Sequence, residues 1–506
     1  MKVAVTGATS DFGTAILPVL LADPEIDTVI ALSRRPLRLE HPKLESVRMD
    51  VRDPGIEDVF RGCEAVVHLA FVVEEIRDKT ATHDINLRGS RNVIDSAYRA
   101  GALRVVIASS INAYGPELRP KPVDEDVYPA GDPDRYYFHD KAEVEHYAEW
   151  WLRRHPGEMA ISMLRPTYII GPDFSNDGID QLTGLVGTFP RADEAAYQFL
   201  HQRDMADAFH RSVKQDLVGP FNLGPRDWVG VRELAAMQGQ RMFDVPERPA
   251  VAAANIAFRL GLSAFSGQWV TAGETVVDST RLTKATGWAP TLTARESAAV
   301  MILLQGKSLV RGEDALGRRI ACEAALEPAS EFVGVDGRGL EHVQIPAATG
   351  AVHAEIHTAR SSGATVVLPA PPGLHARYLT PLAVEFAENG VDVVVVDLPG
   401  HGLSTGKRGH ATAAGVHDAL AVAVGYARIR FGSAPHVVRV GDATERRSRP
   451  GRRWSWVACS RSHAPVNPAD GLLPRRLRYE GGLEHLPHAH SARDIVALAR
   501  ADRVAS

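Results

Sequence analysis

Cysteine is scarce. Only Cys63, Cys322 and Cys459 occur in 506 residues. They lie too far apart to suggest a disulfide framework or a zinc site, so no metal is expected. Positive charge is not in excess: Lys and Arg number 57 against 62 Asp and Glu, a formal net charge of -5. That balance gives no electrostatic footprint for nucleic acid. Long hydrophobic runs are missing too. No apolar stretch reaches the roughly 18 residues of a membrane-spanning helix. The best candidate, around Val251–Phe265, is interrupted by Asn255 and Arg259. A leader peptide is not recognisable, because Met1-Lys2 runs straight into the strand-like Val3-Ala4-Val5-Thr6. These absences lead us to expect a soluble cytoplasmic protein with no nucleic-acid or membrane partner. What remains is ordinary globular composition, 45% apolar and 24% charged, in a chain long enough for two or three domains.

The stretch with chemistry in it is Tyr137-Phe138-His139-Asp140-Lys141. On a helix Tyr137 and Lys141 face the same side, one turn apart. A free phenol has a pKa near 10 and is a poor base at neutral pH. At roughly 4 Å and an effective dielectric of about 20, an ammonium stabilises the phenolate by about 4 kcal/mol, enough to lower that pKa by about three. Tyr137 would then be a general acid or base, and Lys141 its activator. Upstream, Arg104–Ser110 reads as a buried strand whose end places Ser110 to hydrogen-bond the same substrate oxygen. At the start of the chain, strand Lys2–Thr6 and helix Phe12–Leu21 flank the turn Gly7-Ala8-Thr9-Ser10-Asp11-Phe12-Gly13. Such a turn aims backbone N–H groups at a pyrophosphate.

Together these motifs resemble the extended short-chain dehydrogenase/reductase superfamily, the NAD(P)-dependent epimerase/dehydratase group, over residues 1 to about 305. The resemblance implies a Rossmann-type doubly wound parallel sheet of the α/β class, with a small substrate-binding part over about 172–305. It implies hydride transfer at a nicotinamide, with Ser110, Tyr137 and Lys141 as the catalytic set and Asn86 beside them. Asn86 comes from the match of Asn86-Leu-Arg-Gly-Ser-Arg-Asn92 to the family's pattern. Further cofactor contacts are implied at Asp50 and Val51 after the third strand, at Leu69 and Ala70 after the fourth, and at Pro166 and Thr167 after the sixth. The family has glycine where this chain has Ser10. The second strand is followed by Arg34 and Arg35 and by no acidic residue, which suits a 2′-phosphate and favours NADP over NAD. Sugar dehydratases of the superfamily carry Thr-Asp-Glu where this chain has Ser110-Ile111-Asn112, so dehydration is not expected. An epimerase, a reductase of a small ketone or alcohol, and a non-catalytic cofactor-binding protein remain as readings. A homodimer through the helices near residues 86–100 and 140–152 is implied by analogy.

The second half changes character. A linker is expected over 306–330. Beyond it, alternating and buried strand patterns lead to Asp397-Leu-Pro-Gly400-His401-Gly402-Leu-Ser404. This order resembles the N-terminal half of an α/β-hydrolase over residues 331–440. Gly402-Leu-Ser404-Thr-Gly406 fits Gly-x-Ser-x-Gly by letter, but it sits in the wrong turn for a nucleophile elbow. At the proper place, after His436–Val440, Ala443 stands where the serine should be, and Pro369–Gly373 replaces the usual oxyanion loop. A truncated, inactive hydrolase-like region is therefore expected, with an irregular tail over 441–506. His485, His488 and His490 are not read as a metal site.

Overall fold

The computed structural model describes residues 1–37, 39–73, 79–117, 119–132, 135–171, 174, 177–184, 186–190, 193–261, 266–270, 275–304, 340–348, 350–361, 363–370, 376–406, 411–432, 435–442 and 454–461. The expected linker, Ala443 and the histidines at 485, 488 and 490 lie outside these residues. Two compact units emerge. One comprises Met1–Asp177, Val186–Leu234 and Met242–Ser297; the other comprises Gly178–Leu185, Ala235–Arg241 and Ala298–Ser506.

The first unit is organised by a seven-stranded sheet. Its strands are β1 (Lys2–Thr6), β2 (Thr28–Ser33), β3 (Leu44–Arg48), β4 (Ala65–His68), β5 (Arg104–Ala108), β6 (Ala160–Pro166) and β7 (Gly219–Leu223). The spatial order is β7-β6-β5-β4-β1-β2-β3, and every pairing is parallel. A parallel sheet is covered on both faces, so its central strands read as continuous apolar runs. Val3, Ala4, Val5, Val66, Val67, Val105 and Val106 are all fully buried.

Helix α1 (Asp11–Ala22) follows β1, α2 (Lys79–His83) precedes a π-helical turn over Asp84–Arg88, and α3 (Gly89–Arg99) continues from it. Helix α4 (Tyr136–Arg154) joins β5 to β6. Its Val144, Ala148 and Trp151 share one core with Val93 and Ile94 of α3 and with Val66, Val105 and Ile107 of the sheet. Helix α5 (Gln202–Val213) meets α1 through an edge-to-face contact of Phe12 and Phe209, 6.1 Å between centroids. The strand order reverses between β1 and β4, and in such sheets the crevice at that point takes the ligand. Later come α6 (Glu247–Arg259) and the short α7 (Gly267–Val270).

The second unit carries a six-stranded sheet: β8 (Leu340–Ala347), β9 (Gly350–His357), β10 (Ala364–Pro369), β11 (Val391–Val396), β12 (His436–Asp442) and β13 (Trp454–Arg461), in the order β8-β9-β11-β10-β12-β13. The hairpin β8–β9, the β9–β11 pair and the β12–β13 pair are antiparallel; β10 is parallel to β11 and β12. Helix α8 (Thr380–Glu388) packs Leu382 and Phe386 with Val391, Val393 and Val395. Helix α9 (Ala413–Phe431) packs Leu420 and Ala423 with Ile356, Val394 and Val396. Strand β13 departs from the irregular tail expected after residue 440. Trp454-Ser-Trp-Val-Ala-Cys-Ser-Arg461 mixes aromatic and β-branched residues, and it pairs with β12 over the length of both strands.

Candidate active site

Ser110, Tyr137 and Lys141 come together at the carboxyl end of β5. Ser110 ends the strand in extended geometry and caps the following 3-10 turn, its Oγ accepting from Asn112 N at 3.1 Å. Tyr137 sits in the first turn of α4 and Lys141 one turn on. Phe71 meets the Tyr137 ring edge-to-face at 5.8 Å, and Trp269 of α7 lies against it at 5.8 Å. Helix α6 supports that tryptophan from behind: Asn255 Oδ1 accepts from Gly267 N at 2.8 Å. A Cβ on Gly267 would meet Val251 O at 2.7 Å.

Lys141 does not do what the spacing predicts. Its buried ammonium donates to Ala108 O at 2.8 Å and rests 3.7 Å over the Phe71 ring. Its distance from the Tyr137 ring centre is 5.8 Å. Burial pushes the Tyr137 phenol above its ordinary pKa, and the Ser110 hydroxyl is what opposes the rise. The expected lowering by Lys141 is thus corrected: the ammonium is turned to a carbonyl and an aromatic face. Lys141 itself is lowered to about 7 by burial, against the pull of Glu145 and Asp140. Beneath it, Arg165 and Glu145 form a fully buried ion pair, with Arg165 Nε 2.9 and 3.0 Å from the two carboxylate oxygens.

Asn86 is fully buried on the π-helical turn. Its Oδ1 accepts from Val72 N at 2.8 Å, and its Nδ2 donates to Asp140 Oδ2 at 2.9 Å. It therefore clamps the chain after β4 to α4. Leu69 N donates to Thr6 O at 3.1 Å. Ala70, Phe71, Ala108 and Lys141 line a cavity of about 10 Å³ with His68 and Ser90.

The glycine-rich turn is as tight as a dinucleotide site needs. Gly7 has φ +72°, and a Cβ there would lie 2.6 Å from Ala70 N; a Cβ on Gly13 would press into the Ala8 carbonyl. Ser10 does not block the turn. Its hydroxyl donates to Gly7 O at 2.7 Å and accepts from Gly13 N at 3.2 Å, capping α1. The N–H groups of Asp11 and Phe12 open the same helix, where an anion is favoured. Thr167 Oγ1, after β6, is buried with no hydrogen-bond partner among the described residues, and Pro166 ends that strand. An orphaned hydroxyl and a glycine cradle at the strand ends fit a nicotinamide dinucleotide.

Other expected contacts are engaged differently. Asp50 accepts from Arg52 N, Nε and Nη2, each at 2.9 Å, and Arg52 bridges on to Asp84 at 2.7 Å. That guanidinium holds Asp50 at a pKa of about 2. Val51 lies under Gly89, whose Cβ would meet Val51 Cγ2 at 2.7 Å. Sequence reasoning missed Phe71, Trp269 and Glu145. Phe71 stands three residues past the end of β4 and Glu145 one turn beyond Lys141, both readable signals; Trp269 carries none.

Fold and site define a dinucleotide-binding α/β domain with a Ser, Tyr and Lys set at its strand ends. The model of the NAD dependent epimerase/dehydratase family matches residues 3–224, and through this domain the chain belongs to that family. An uncharacterized protein of Sinorhizobium fredii is 26% identical over 272 residues, 51% of this chain and 66% of the relative. An uncharacterized protein of Mycobacterium tuberculosis is 31% identical over 238 residues, 44% of this chain and 61% of the relative. Sterol demethylase protein B of Methylococcus capsulatus is 30% identical over 250 residues, 48% of this chain and 67% of the relative. The chain thus spans less than two thirds of the length of the first two of these relatives, 66% and 61%. Among solved structures, MoeE5 in complex with UDP-glucuronic acid and NAD aligns at TM-score 0.48 and 22% identity, covering 59% of this chain and 97% of that one. WbmH of Bordetella bronchiseptica in complex with NAD+ aligns at 0.47 and 19%, covering 59% and 95%.

The preference for NADP is corrected. Both of these neighbours hold NAD. In this chain Arg35 Nη2 donates to Thr9 O at 3.1 Å, closing over the glycine-rich turn.

Proposed function

We propose that residues 1–305 act as an NAD-dependent oxidoreductase or epimerase on a hydroxyl-bearing carbon of a nucleotide sugar or similar small molecule. The observation that carries this reading is the grouping of Ser110, at the N-cap of the turn after β5, with Tyr137 and Lys141 one turn apart on α4. A bound nicotinamide supplies the hydride acceptor and donor at its C4. Tyr137, kept protonated by burial, gives its proton to a carbonyl oxygen in the reducing direction and recovers it in the oxidising direction. Ser110 donates to the same oxygen. Lys141 holds its charge on Ala108 O beside them, and Phe71 and Trp269 keep water from the tyrosine. Ile111 and Asn112 offer no acid or base, which argues against dehydration. The Ser10 cap leaves the turn open, which argues against a purely structural use of the cofactor fold.

Tyr137→Phe tests the reading: kcat should fall by about 10²–10⁴-fold while NAD affinity is kept. Undiminished NAD-dependent turnover in that variant would overturn it. Mass spectrometry of small molecules released on denaturation separates its two forms. A retained, near-stoichiometric nucleotide marks an epimerase, and an empty protein that exchanges NAD marks a dehydrogenase. Residues 172–305 would supply the substrate side, with α6 and α7 as one wall. A homodimer through α3 and α4 is supported by Trp150, which is 53% exposed and stacked on Tyr147 at 5.4 Å; light scattering on the full chain tests it. No described helix is long and apolar enough to cross a membrane, which supports a cytoplasmic setting.

For the second unit, the order β8-β9-β11-β10-β12, with β9 antiparallel to its neighbours, supports a partial hydrolase-like sheet. Ser404 is occupied in the turn: its hydroxyl donates to Asp397 O at 2.8 Å and accepts from His353 N at 2.9 Å. It is not placed as a nucleophile.

A further inference from the structure

His83, His139 and Asp140 converge on one point beside the Tyr137–Lys141 face. His83 ends α2; His139 and Asp140 are neighbours on α4. One ligand atom from each lies within 4.8 Å of the others. Both imidazoles turn Nδ1 toward the same carboxylate oxygen, Asp140 Oδ1: His83 in direct hydrogen-bond contact and His139 at 3.3 Å. The two rings meet edge-to-face, 5.6 Å between centroids.

Asp140 is no ordinary surface acid. Its carboxylate is fully buried, while the two imidazoles are 34% and 28% exposed. A buried carboxylate requires a partner or a metal. The adjacent Lys141 ammonium is turned to Ala108 O. Among the described residues, the groups within ion-pairing distance of Asp140 are these two histidines. Its other oxygen, Oδ2, is held by Asn86 Nδ2 at 2.9 Å, an outer hydrogen bond of the kind that orients a ligating carboxylate. Asn86 itself stands on the π-helical turn that begins directly after His83, and such turns concentrate at functional sites.

We propose that His83 Nδ1, His139 Nδ1 and Asp140 Oδ1 bind a divalent transition-metal ion of the zinc class. Two imidazole nitrogens and one carboxylate oxygen form a donor set for such a metal, with water at the fourth position. Tetrahedral bonds of about 2.0–2.2 Å place ligand atoms about 3.3 Å apart. The His139 to Asp140 separation already has that value, 3.3 Å. The part-exposed His83 ring must swing outward to admit the ion. Each ring then carries its proton on Nε2, and protons compete with the metal as pH falls. The ion would fasten the end of α2 to α4 without occupying Ser110, Tyr137 or Lys141.

The test uses the full chain, stripped with a chelator. Zn²⁺ is titrated in competition with a chromophoric chelator, and Co²⁺ is followed by its visible absorption. One tight equivalent and the intense bands of a tetrahedral cobalt centre are expected. His83→Gln and His139→Gln should each weaken binding at least tenfold, with the circular dichroism spectrum unchanged. A second measurement needs no variant: diethylpyrocarbonate modification of the wild type, read by mass spectrometry, should show His83 and His139 protected by one equivalent of Zn²⁺. Absence of a stoichiometric site overturns the proposal. So does undiminished binding in the His83→Gln/His139→Gln double variant, or protection falling on His485, His488 and His490 instead.

Discussion

Replacing Glu145 by glutamine removes one charge from the bottom of the site and leaves its shape intact. Glu145 and Arg165 are both fully buried, and the pair is bidentate. Ser109 Oγ donates to the same carboxylate, and the guanidinium stacks 4.5 Å over the Tyr114 ring. In Glu145→Gln the guanidinium stays buried without an anion. Breaking such a pair from one side costs about 3–5 kcal/mol, a large part of the 5–15 kcal/mol that typically holds a domain together. At about 2–4 °C per kcal/mol for a domain of this size, the midpoint should drop by about 6–20 °C. Thermal unfolding of the full chain, followed by circular dichroism, measures it; the transition that NAD raises identifies the first unit. Glu145→Met with Arg165→Met should recover most of the loss, because an apolar pair carries no unpaired charge. A single variant within about 1 kcal/mol of wild type would refute the reasoning, since solvent or another anion must then reach Arg165.

Acid should loosen the first unit in a specific way. His68 and His201 are held neutral at pKa values of about 3 by burial, reinforced by Lys141 and Arg203 respectively. Unfolded histidine titrates near 6.5, so their stability is complete about one pH unit above that and is lost as pH falls through it, by up to about 1.4 kcal/mol per pH unit for each ring. The unfolding free energy from urea titrations should fall by about 3 kcal/mol between pH 6.5 and 5, and a flat profile would contradict this. Gly7→Ala should destabilise the turn and weaken NAD binding in isothermal titration, because φ is +72° and Ala70 N already lies 2.6 Å from the added carbon; unchanged affinity would show that the turn yields. A fluorophosphonate probe should leave Ser404 unlabelled, its hydroxyl being held by Asp397 O and His353 N; labelling would reverse the assignment.

Local spacing made the frame of the site readable. Strand, glycine turn and helix over residues 2–22, and the four-residue step from Tyr137 to Lys141, are contiguous patterns that helix and strand periods dictate. Ser110 followed from its place at a strand end. The electrostatics were not readable, because the direction of the Lys141 ammonium is decided by Ala108 O and the Phe71 face. The arginines after β2 misled for a similar reason: a charge type was legible, but the packing of Arg35 onto Thr9 was not. Trp269 reaches Tyr137 only through the fold, and His83 reaches Asp140 only across two helices. The strand at Trp454–Arg461 was hidden by the polar, arginine-rich run before it.

Strand β13 also acts as a lid on a sticky border. It satisfies the backbone of β12 from His436 to Asp442, so a shortened chain ending near residue 450 would present that strand as a bare template for another copy. The opposite border, β8, is guarded differently. Pro346 has no N–H to offer, and Glu341 places a charge on the strand, joined to Arg430 at 3.1 Å. Proline and charge are the usual deterrents to edge-to-edge pairing. The two borders therefore differ in what they tolerate: β8 stays bare without recruiting a strand, whereas removing β13 opens β12 to pairing edge to edge with one other copy.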